Sequence, residues 1–449
     1  MQYSSQLIHQ LEQAVQQHQF QQIDDIVRPL NAADIADFLG YFTVDIQTIL
    51  IEHLDQAAYI LEFLPLRQRL QIAEQLPAIK LAEVLSAMHS DDRTDLYQVL
   101  SPQLQKQVDQ KLSPEIQTQI QHLAQYPAES AGAIMSSDFV SLSADLTVNQ
   151  AIEQLRQNAA DRETFYLIYL TDLDLKLQGV VSLREMILAA PETLLRNIMT
   201  ADLIVGNVYE DQESIAKKLS HYDFIALPII DDTQGLVGIV TYDDAMDVVQ
   251  AETTEDFLKS SAVSSSSLSL KHAPIFSLYK KRVFWLVILV FGSLLSGIGI
   301  AHFEDIIAAN IVLVFFLPLL VGSGGNAGSQ SATLMVRALA TGDVQLKDWF
   351  YLIGRETLVS LCLGATMAFA VSILGYIRGD QIVALVLALS MMGIVLLGCL
   401  IGMSLPFILN RLKLDPASAS APLVTSICDA TGVIVYLFIA SIFLNQVAI

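Results

Sequence analysis

From Pro416 to Ile449 the chain reads PASASAPLVTSICDATGVIVYLFIASIFLNQVAI, an apolar run interrupted by one charge, Asp429. A helix crossing the hydrocarbon core of a bilayer needs about 20 apolar residues, so this stretch predicts a membrane span over 421–445. Asp429 would lie about eight residues, roughly 12 Å, inside it. A carboxylate at that depth costs several kcal/mol unless it faces water, a cation or a partner. No Lys or Arg lies at a similar depth in the sequence to pair with it. A protonated structural Asp is the bland alternative, but intramembrane carboxylates more often mark an ion path. Thr425 and Ser426 precede Asp429 by four and three residues and Gly432 follows by three, close to one helix face. Such a face is polar and small, as a pore lining is.

Working outward, charge-free stretches run Val283–Phe303, Ile306–Val336, Thr357–Ile377 and Gln381–Asn410. They predict four further spans, at 283–302, 307–330, 355–377 and 382–409. The chain of 449 residues is 53% hydrophobic and 16% charged, with a mean hydropathy of +0.47, a composition of the membrane class. Lys280, Lys281 and Arg282 precede span one; Arg337, Lys347 and Arg355 lie between spans two and three; Arg411 and Lys413 lie between four and five; the opposite side offers Arg378. Basic residues stay on the cytoplasmic side, so the N-terminal half is expected to be cytoplasmic and Asn445–Ile449 outside. The outer loops carry Glu304, Asp305 and Asp380. They are either solvated or raise local cation concentration at an external mouth.

The formal charge of −22 is unevenly placed. Residues 271–449 carry 10 Lys+Arg against 8 Asp+Glu, leaving 15 basic against 39 acidic residues in 1–270, a net of −24. A half of that sign repels nucleic acid and attracts cations, although most of its carboxylates are expected to be solvated surface. Cys362, Cys399 and Cys428 all fall in apolar segments, with neither a disulfide framework nor a zinc spacing. The N-terminus has no basic segment followed by an apolar run, so no cleaved signal peptide is expected.

A second membrane feature is Gly322-Ser323-Gly324-Gly325-Asn326-Ala327-Gly328-Ser329-Gln330-Ser331, after Pro318. Dense glycine weakens a helix, but in a bilayer it permits close helix approach or exposes backbone carbonyls to a cavity. Asn326, Ser329 and Gln330 offer uncharged oxygen ligands. Mg²⁺ holds its waters tightly, so carbonyls, amides and one carboxylate suffice to bind it through its water shell. A small-residue packing seam explains the same residues equally well. Arg355-Glu356 at the head of span three reads as a structural ion pair. Gly322–Gly328 lacks the Lys-Ser/Thr ending of a phosphate loop, and neither a paired His/Glu metal motif nor a nucleophile elbow is present, so an enzyme is not expected.

Residues 1–128 read as short helices punctuated by Pro29, Pro65, Pro77 and Pro102, with apolar residues at helical spacing in Ile26–Leu39, Ile49–Leu64 and Leu81–Leu100. The pattern predicts a small acidic α-superhelix. Residues 129–250 hold an internal repeat, with 129–241 as the expected domain. Ala133-Ile134-Met135 opens one copy and Asn197-Ile198-Met199 the other; each runs through a strand and an amphipathic helix (Val148–Arg156; Ser214–Leu219). The copies close on matching strand-turn-helix segments, Gly179–Ile187 and Gly238–Met246. The pattern resembles a tandem CBS pair, a regulatory and often dimeric module that in many proteins binds adenine nucleotides. Thr241–Lys259 then predicts an acidic connecting helix bearing Asp243, Asp244, Asp247, Glu252, Glu255 and Asp256. Like charges one turn apart destabilise a helix unless countered, and a divalent cation would counter them. The Ser264–Ser267 run reads as a flexible linker within 242–270, and 271–449 as the membrane domain.

The order of these parts, together with Pro318…Gly322–Thr333, Leu414-Asp415-Pro416-Ala417, Asp429-Ala430-Thr431-Gly432 and Ala251-Glu252-Thr253-Thr254-Glu255-Asp256, resembles the MgtE magnesium channel/transporter family over nearly the whole chain. The expected fold is a multi-domain membrane protein: a superhelical N-domain, an α/β tandem CBS pair and an all-α transmembrane domain of five helices. The resemblance implies a homodimer in the bacterial inner membrane, with a central pore formed by spans two and five of both subunits. It implies that Asp429 coordinates hydrated Mg²⁺ and that the connecting helix acts as a plug. At high cytoplasmic Mg²⁺, ions would bridge carboxylates of the N-domain, the CBS pair and the plug. Matching positions are Asp91 and Asp95, then Asp211, Glu213 and Asp223, then Asp244, Asp247, Glu252, Glu255 and Asp256, with Asp415 at the cytoplasmic mouth and Asn326 in the pore. A membrane-tethered sensor without transport, a coupled transporter, and another divalent ion such as Co²⁺ are the competing readings; oxygen ligands favour a hard cation.

Overall fold

The computed structural model describes residues 30–54, 56–158, 164–263 and 274–444, with Leu11, Gln13, Ala14, Gln17, Ile23, Ile26 and Val27 upstream. Pro29, the Ser264–Ser267 run, Lys271 and Asn445–Ile449 lie outside the described residues.

The acidic N-terminal segment forms helices α1 (Ala32–Leu39), α2 (Val44–His53), α3 (Ala57–Glu62), α4 (Leu66–Ala73), α5 (Ala78–Ala87), α6 (Ser90–Val99), α7 (Pro102–Asp109) and α8 (Pro114–Leu123). Proline sets several of the starts. Pro65 and Pro77 sit at N-cap positions, and Pro102 and Pro114 open their helices, where a missing N–H costs nothing. Each helix packs on the next but one: α1 on α3, α2 on α4, and so on to α6 on α8. That stacking is the superhelix expected from the Pro-punctuated pattern. Its core is continuous through Phe38, Leu50, Ile60, Leu61, Ile72, Leu81 and Leu96.

Two copies of one small sheet follow. In the first, β1 (Ser141–Ser143) runs parallel to β2 (Leu167–Thr171), which pairs antiparallel with β3 (Leu177–Ser182). In the second, β4 (Gly206–Asn207), β5 (Ala226–Ile230) and β6 (Leu236–Thr241) repeat that order. Helices α9 (Ala131–Ile134), α10 (Val148–Asn158), α11 (Leu183–Leu188) and α12 (Gln212–His221) complete the pair. The copies interlock reciprocally. Ser136, just after Met135, exchanges backbone hydrogen bonds of 2.8 and 2.9 Å with Ile239 of the second sheet, and Thr200, just after Met199, does the same with Val180 of the first. Gly179 and Gly238 admit the two methionines, since a Cβ at either would lie 2.7 Å from the facing sulfur. The Ile-Met openings are therefore the crossing points of the two copies.

The connecting helix α13 (Tyr242–Ser260) matches the expected Thr241–Lys259 within a residue. It stops on a left-handed residue, Ala262, at φ 54°. Val263 N–H then bonds Leu258 O and Ala262 N–H bonds Lys259 O, the pairing of a Schellman stop.

Among the described residues five helices are long and apolar enough to cross a membrane: α14 (Ile275–His302), α16 (Val312–Ala340), α17 (Trp349–Arg378), α18 (Gln381–Arg411) and α19 (Ala421–Leu444), with the short α15 (Glu304–Ala309) between the first two. Span two differs from expectation. It starts later than 307 and runs unbroken through the Gly-rich segment to Ala340. In a bilayer, intrahelical bonding is the only outlet for the backbone, so low glycine propensity loses to the cost of unpaired amides.

Candidate functional site

The glycines of span two divide by helix face. Gly324 and Gly328 meet Gly398 and Gly402 of α18. A Cβ on Gly398 would lie 2.5 Å from Gly324 O, and one on Gly402 would fall onto Gly328 O. Two small-xxx-small pairs thus lay the helix backbones against each other. Gly325 and Ser329 face α19 instead. A Cβ on Gly325 would lie 2.9 Å from Thr425 Cγ2 and 3.2 Å from Asp429 Oδ1, while Ser329 Oγ lies 3.0 Å from Thr425 Oγ1 and donates to Ala421 O at 3.3 Å. Gly322 meets nothing within 4 Å, and Asn326 and Gln330, one and two turns on, are exposed. Packing seam and polar lining are both present, on different faces of one helix.

Asp429 sits at the centre of the second face. It is half-buried, and its Oδ1 is shielded from solvent with no hydrogen-bond partner among the described residues. The bare helix at Gly325 lets the carboxylate pack close to the backbone, since a Cβ there would crowd Oδ1 at 3.2 Å. A buried, unsatisfied carboxylate oxygen demands a ligand. The polar face is narrower than the spacing implied. Thr425 shares it, but Ser426 contacts Gly292 of α14, and Gly432 lies against Val321 and Ile394. The expected Arg355–Glu356 pair does not form among the described residues: Arg355 is exposed, and Glu356 accepts a hydrogen bond from Ser331 Oγ.

The cytoplasmic carboxylates fare unequally. Asp91 and Asp95 lie one turn apart on α6. Between them Asp92 pairs with Arg69. Asp95 is exposed, yet desolvation by the surrounding protein mass and then the Asp92 charge push its pKa up to about 6, against the smaller pull of the Arg69 charge. In the second CBS copy the candidates already have structural duties. Asp211 caps α12, accepting from Glu213 N (2.9 Å) and Ser214 N (3.4 Å); Glu213 pairs with Lys217 at 2.8 Å; Asp223 holds a left-handed turn at φ 53° beyond the far end. At 1.5 Å per residue, α12 separates Asp223 from the other two by roughly 15 Å. On α13, Asp244 accepts from Thr241 Oγ1, Asp247 is exposed, and Glu252, Glu255 and Asp256 form a half-buried stripe with Lys259. Among the described residues no three His, Cys, Asp or Glu side chains converge closely enough to hold a metal ion.

Lys259 was absent from the expected set. Its ammonium donates to Asp415 Oδ2 at 2.7 Å and lies 2.6 Å from Glu255 Oε1. Burial alone would lower its pKa, but hydrogen bonds to Asp415 and Glu255 outweigh that and hold it above its ordinary value. The Glu255–Lys259 half was readable as an i,i+4 pair; Asp415 was too distant in sequence to connect. A network at the start of α6 was equally silent. Asp138 Oδ2 accepts from Ser90 N at 3.0 Å and lies 4.0 Å from Arg93 Nη2, while Ser90 Oγ accepts from Ser137 N at 2.8 Å. An acid from the CBS pair thereby caps a helix of the superhelical domain.

A helical bundle holding an unsatisfied carboxylate against a polar, glycine-bared helix, on a chain with an acidic superhelix and a CBS pair, defines a multi-pass membrane protein of the cation-transport class. Family comparisons agree. The family model described as divalent cation transporter, MgtE, matches residues 317–439, the MgtE intracellular N domain 30–129, and the CBS domain 131–192 and 195–251. The chain is similar to the magnesium transporter MgtE of Thermus thermophilus, 40% identical over 73% of this chain and 73% of that protein. It is also similar to the magnesium transporter MgtE of Bacillus subtilis, 31% identical over 95% of this chain and 94% of that one. A crystal structure of the cytosolic domain of the Mg²⁺ channel MgtE in complex with ATP is 29% identical, covering 54% of this chain and 99% of that one at a TM-score of 0.51. The chain belongs to the MgtE family of divalent cation transporters.

Proposed function

We propose that the protein is a Mg²⁺-selective channel or transporter mediating magnesium uptake across the bacterial plasma membrane, with its N-terminal half cytoplasmic and its C-terminus outside. The observation that carries this is the orphaned Asp429 Oδ1 beside Gly325. Mg²⁺ keeps several waters when bound, so an ion can meet Asp429 through its water shell. The exposed Asn326 is a polar group on a membrane helix, and a second copy of the chain around a shared water-filled pore would account for it. The names of the relatives support magnesium among divalent ions.

Gating follows from the acidic half. Clustered carboxylates repel one another without metal, so an ion that binds a closed arrangement better shifts the population toward it. Closure at millimolar Mg²⁺ needs only weak sites, each of a few kcal/mol. Asp91, Asp95, Asp211, Glu213, Asp223, Asp244, Asp247, Glu252 and Asp256 remain the candidates for that role, and the CBS pair is the candidate adenine-nucleotide site, supported by the ATP complex of the related cytosolic domain. Asp415 and Glu255 fit a metal less well, because Lys259 already pairs with both.

The test is Mg²⁺ flux into liposomes holding the full-length protein. Asp429→Ala is expected to abolish flux, and wild-type flux is expected to fall as internal Mg²⁺ rises. Well-folded wild type with no flux at any Mg²⁺ level would favour a tethered sensor.

A further inference from the structure

We propose that Lys259 is a built-in cation that docks the end of the connecting helix on the membrane domain, so that this contact of the closed arrangement forms without a divalent ion. The proposal rests on the gating reading above and alters it at one point: the Glu255–Asp415 pair is served by an ammonium that belongs to the chain.

The geometry leaves little room for a metal there. Each of the two Asp415 oxygens already accepts a hydrogen bond. Oδ1 accepts from Ala417 N at 2.8 Å and caps the short turn Pro416–Ser418 that leads into span five; Oδ2 accepts from Lys259 Nζ at 2.7 Å. Glu255 Oε1 lies 2.6 Å from the same nitrogen. One positive charge therefore lies between two negative ones at hydrogen-bond distance, about the charge-assisted optimum. A divalent ion would have to displace an ammonium that is covalently tethered at high effective concentration.

An independent feature points to the same docked end. The helix stops one residue beyond Lys259, and the stop uses a left-handed Ala262 rather than glycine. A Cβ in that conformation costs roughly 1 kcal/mol, so surrounding contacts must hold it. Ala262 is in fact buried, at 7% exposure. Lys259 and Ala262 together anchor the helix end, one by charge and one by packing.

The consequence is a division of labour along α13. The carboxylates nearer its start remain candidates for divalent ions, whereas the Lys259 end stays docked when Mg²⁺ is removed. A contact present with or without Mg²⁺ leaves the switching to the carboxylates nearer the start, since an interaction equal in both states shifts no population.

Hydrogen exchange of the full-length protein in lipid nanodiscs, with divalent ions removed by chelator, tests this without any flux. In wild type the amides over 255–260 are expected to be protected. Lys259→Met should lose about two- to fivefold of that protection, the range of a partly exposed pair. Asp415→Asn, which keeps the cap on Ala417 but removes the charge, should lose a similar amount from a helix 156 residues away in sequence, and Lys259→Arg should retain it. Protection in Lys259→Met or Asp415→Asn equal to wild type, or wild-type protection that appears only on adding Mg²⁺, would overturn the proposal. Failure of the gate reading is seen separately, as wild-type flux indifferent to internal Mg²⁺.

Discussion

At the scale of single residues, the candidate sites are polar groups with an unmet demand. Asp429 lacks a partner for one oxygen among the described residues, and at Asp95 desolvation and the Asp92 charge outweigh the opposing Arg69. The second has a thermodynamic signature. Its folded pKa of about 6 lies above the ordinary 3.8, so between those values the folded state binds more protons than the unfolded one. Stability is therefore lost as pH rises through that window and is not regained above it. Asp95→Asn is expected to flatten the dependence of melting temperature on pH between 4 and 6 and to raise melting at pH 7, as read by thermal unfolding in chelator. Mg²⁺ bound nearby would pull the apparent pKa down, so the acid-side step should move to lower pH when Mg²⁺ is added. A step of unchanged position would remove Asp95 from the regulatory set.

At the scale of elements, span two shows how one helix serves three neighbours. Its 324/328 face is consumed by backbone contact with span four, its 325/329 face by the Thr425–Asp429 side of span five, and its 322/326/330 face is left open. Substitutions should separate the three. Gly402→Val drives a side chain onto Gly328 O and is expected to cost on the order of 3 kcal/mol, visible as loss of a monodisperse, cooperatively melting protein. Gly322→Ala meets nothing within 4 Å and is expected to leave melting unchanged. Equal damage from both would mean that the open face is packed in the assembled protein.

At the scale of the whole molecule, connections between distant segments decide what moves together. Asp138 ties the superhelical domain to the CBS pair through Ser90 and Arg93, all three at least nine-tenths buried. Asp138→Ala would strand the Ser90 N–H and remove the nearest counter-charge of Arg93, at about 1–3 kcal/mol. The expected outcome in the full-length protein is faster proteolysis over 124–130, where the two parts join. Unchanged proteolysis would show that the apolar contacts alone hold them.

Patterning along the chain was sufficient for the architecture. Apolar runs of membrane length located five spans, proline located helix starts, and the repeated Ile-Met and Gly-Val segments located the CBS copies, because each reflects a local rule about which backbone a bilayer, a helix terminus or a sheet accepts. Asp429 was legible for the same reason: a carboxylate in hydrocarbon stands out without knowledge of its neighbours. The helix faces were not legible, since the glycines of span two differ only in what lies opposite them. Nor was Lys259, whose Asp415 partner is 156 residues away, nor Asp138 as a cap for Ser90. Local chemistry, then, was written in the sequence by itself, down to the lone carboxylate of the fifth span; the tertiary structure alone decided which charges are already paired, because pairing depends on distances that chain separation does not encode.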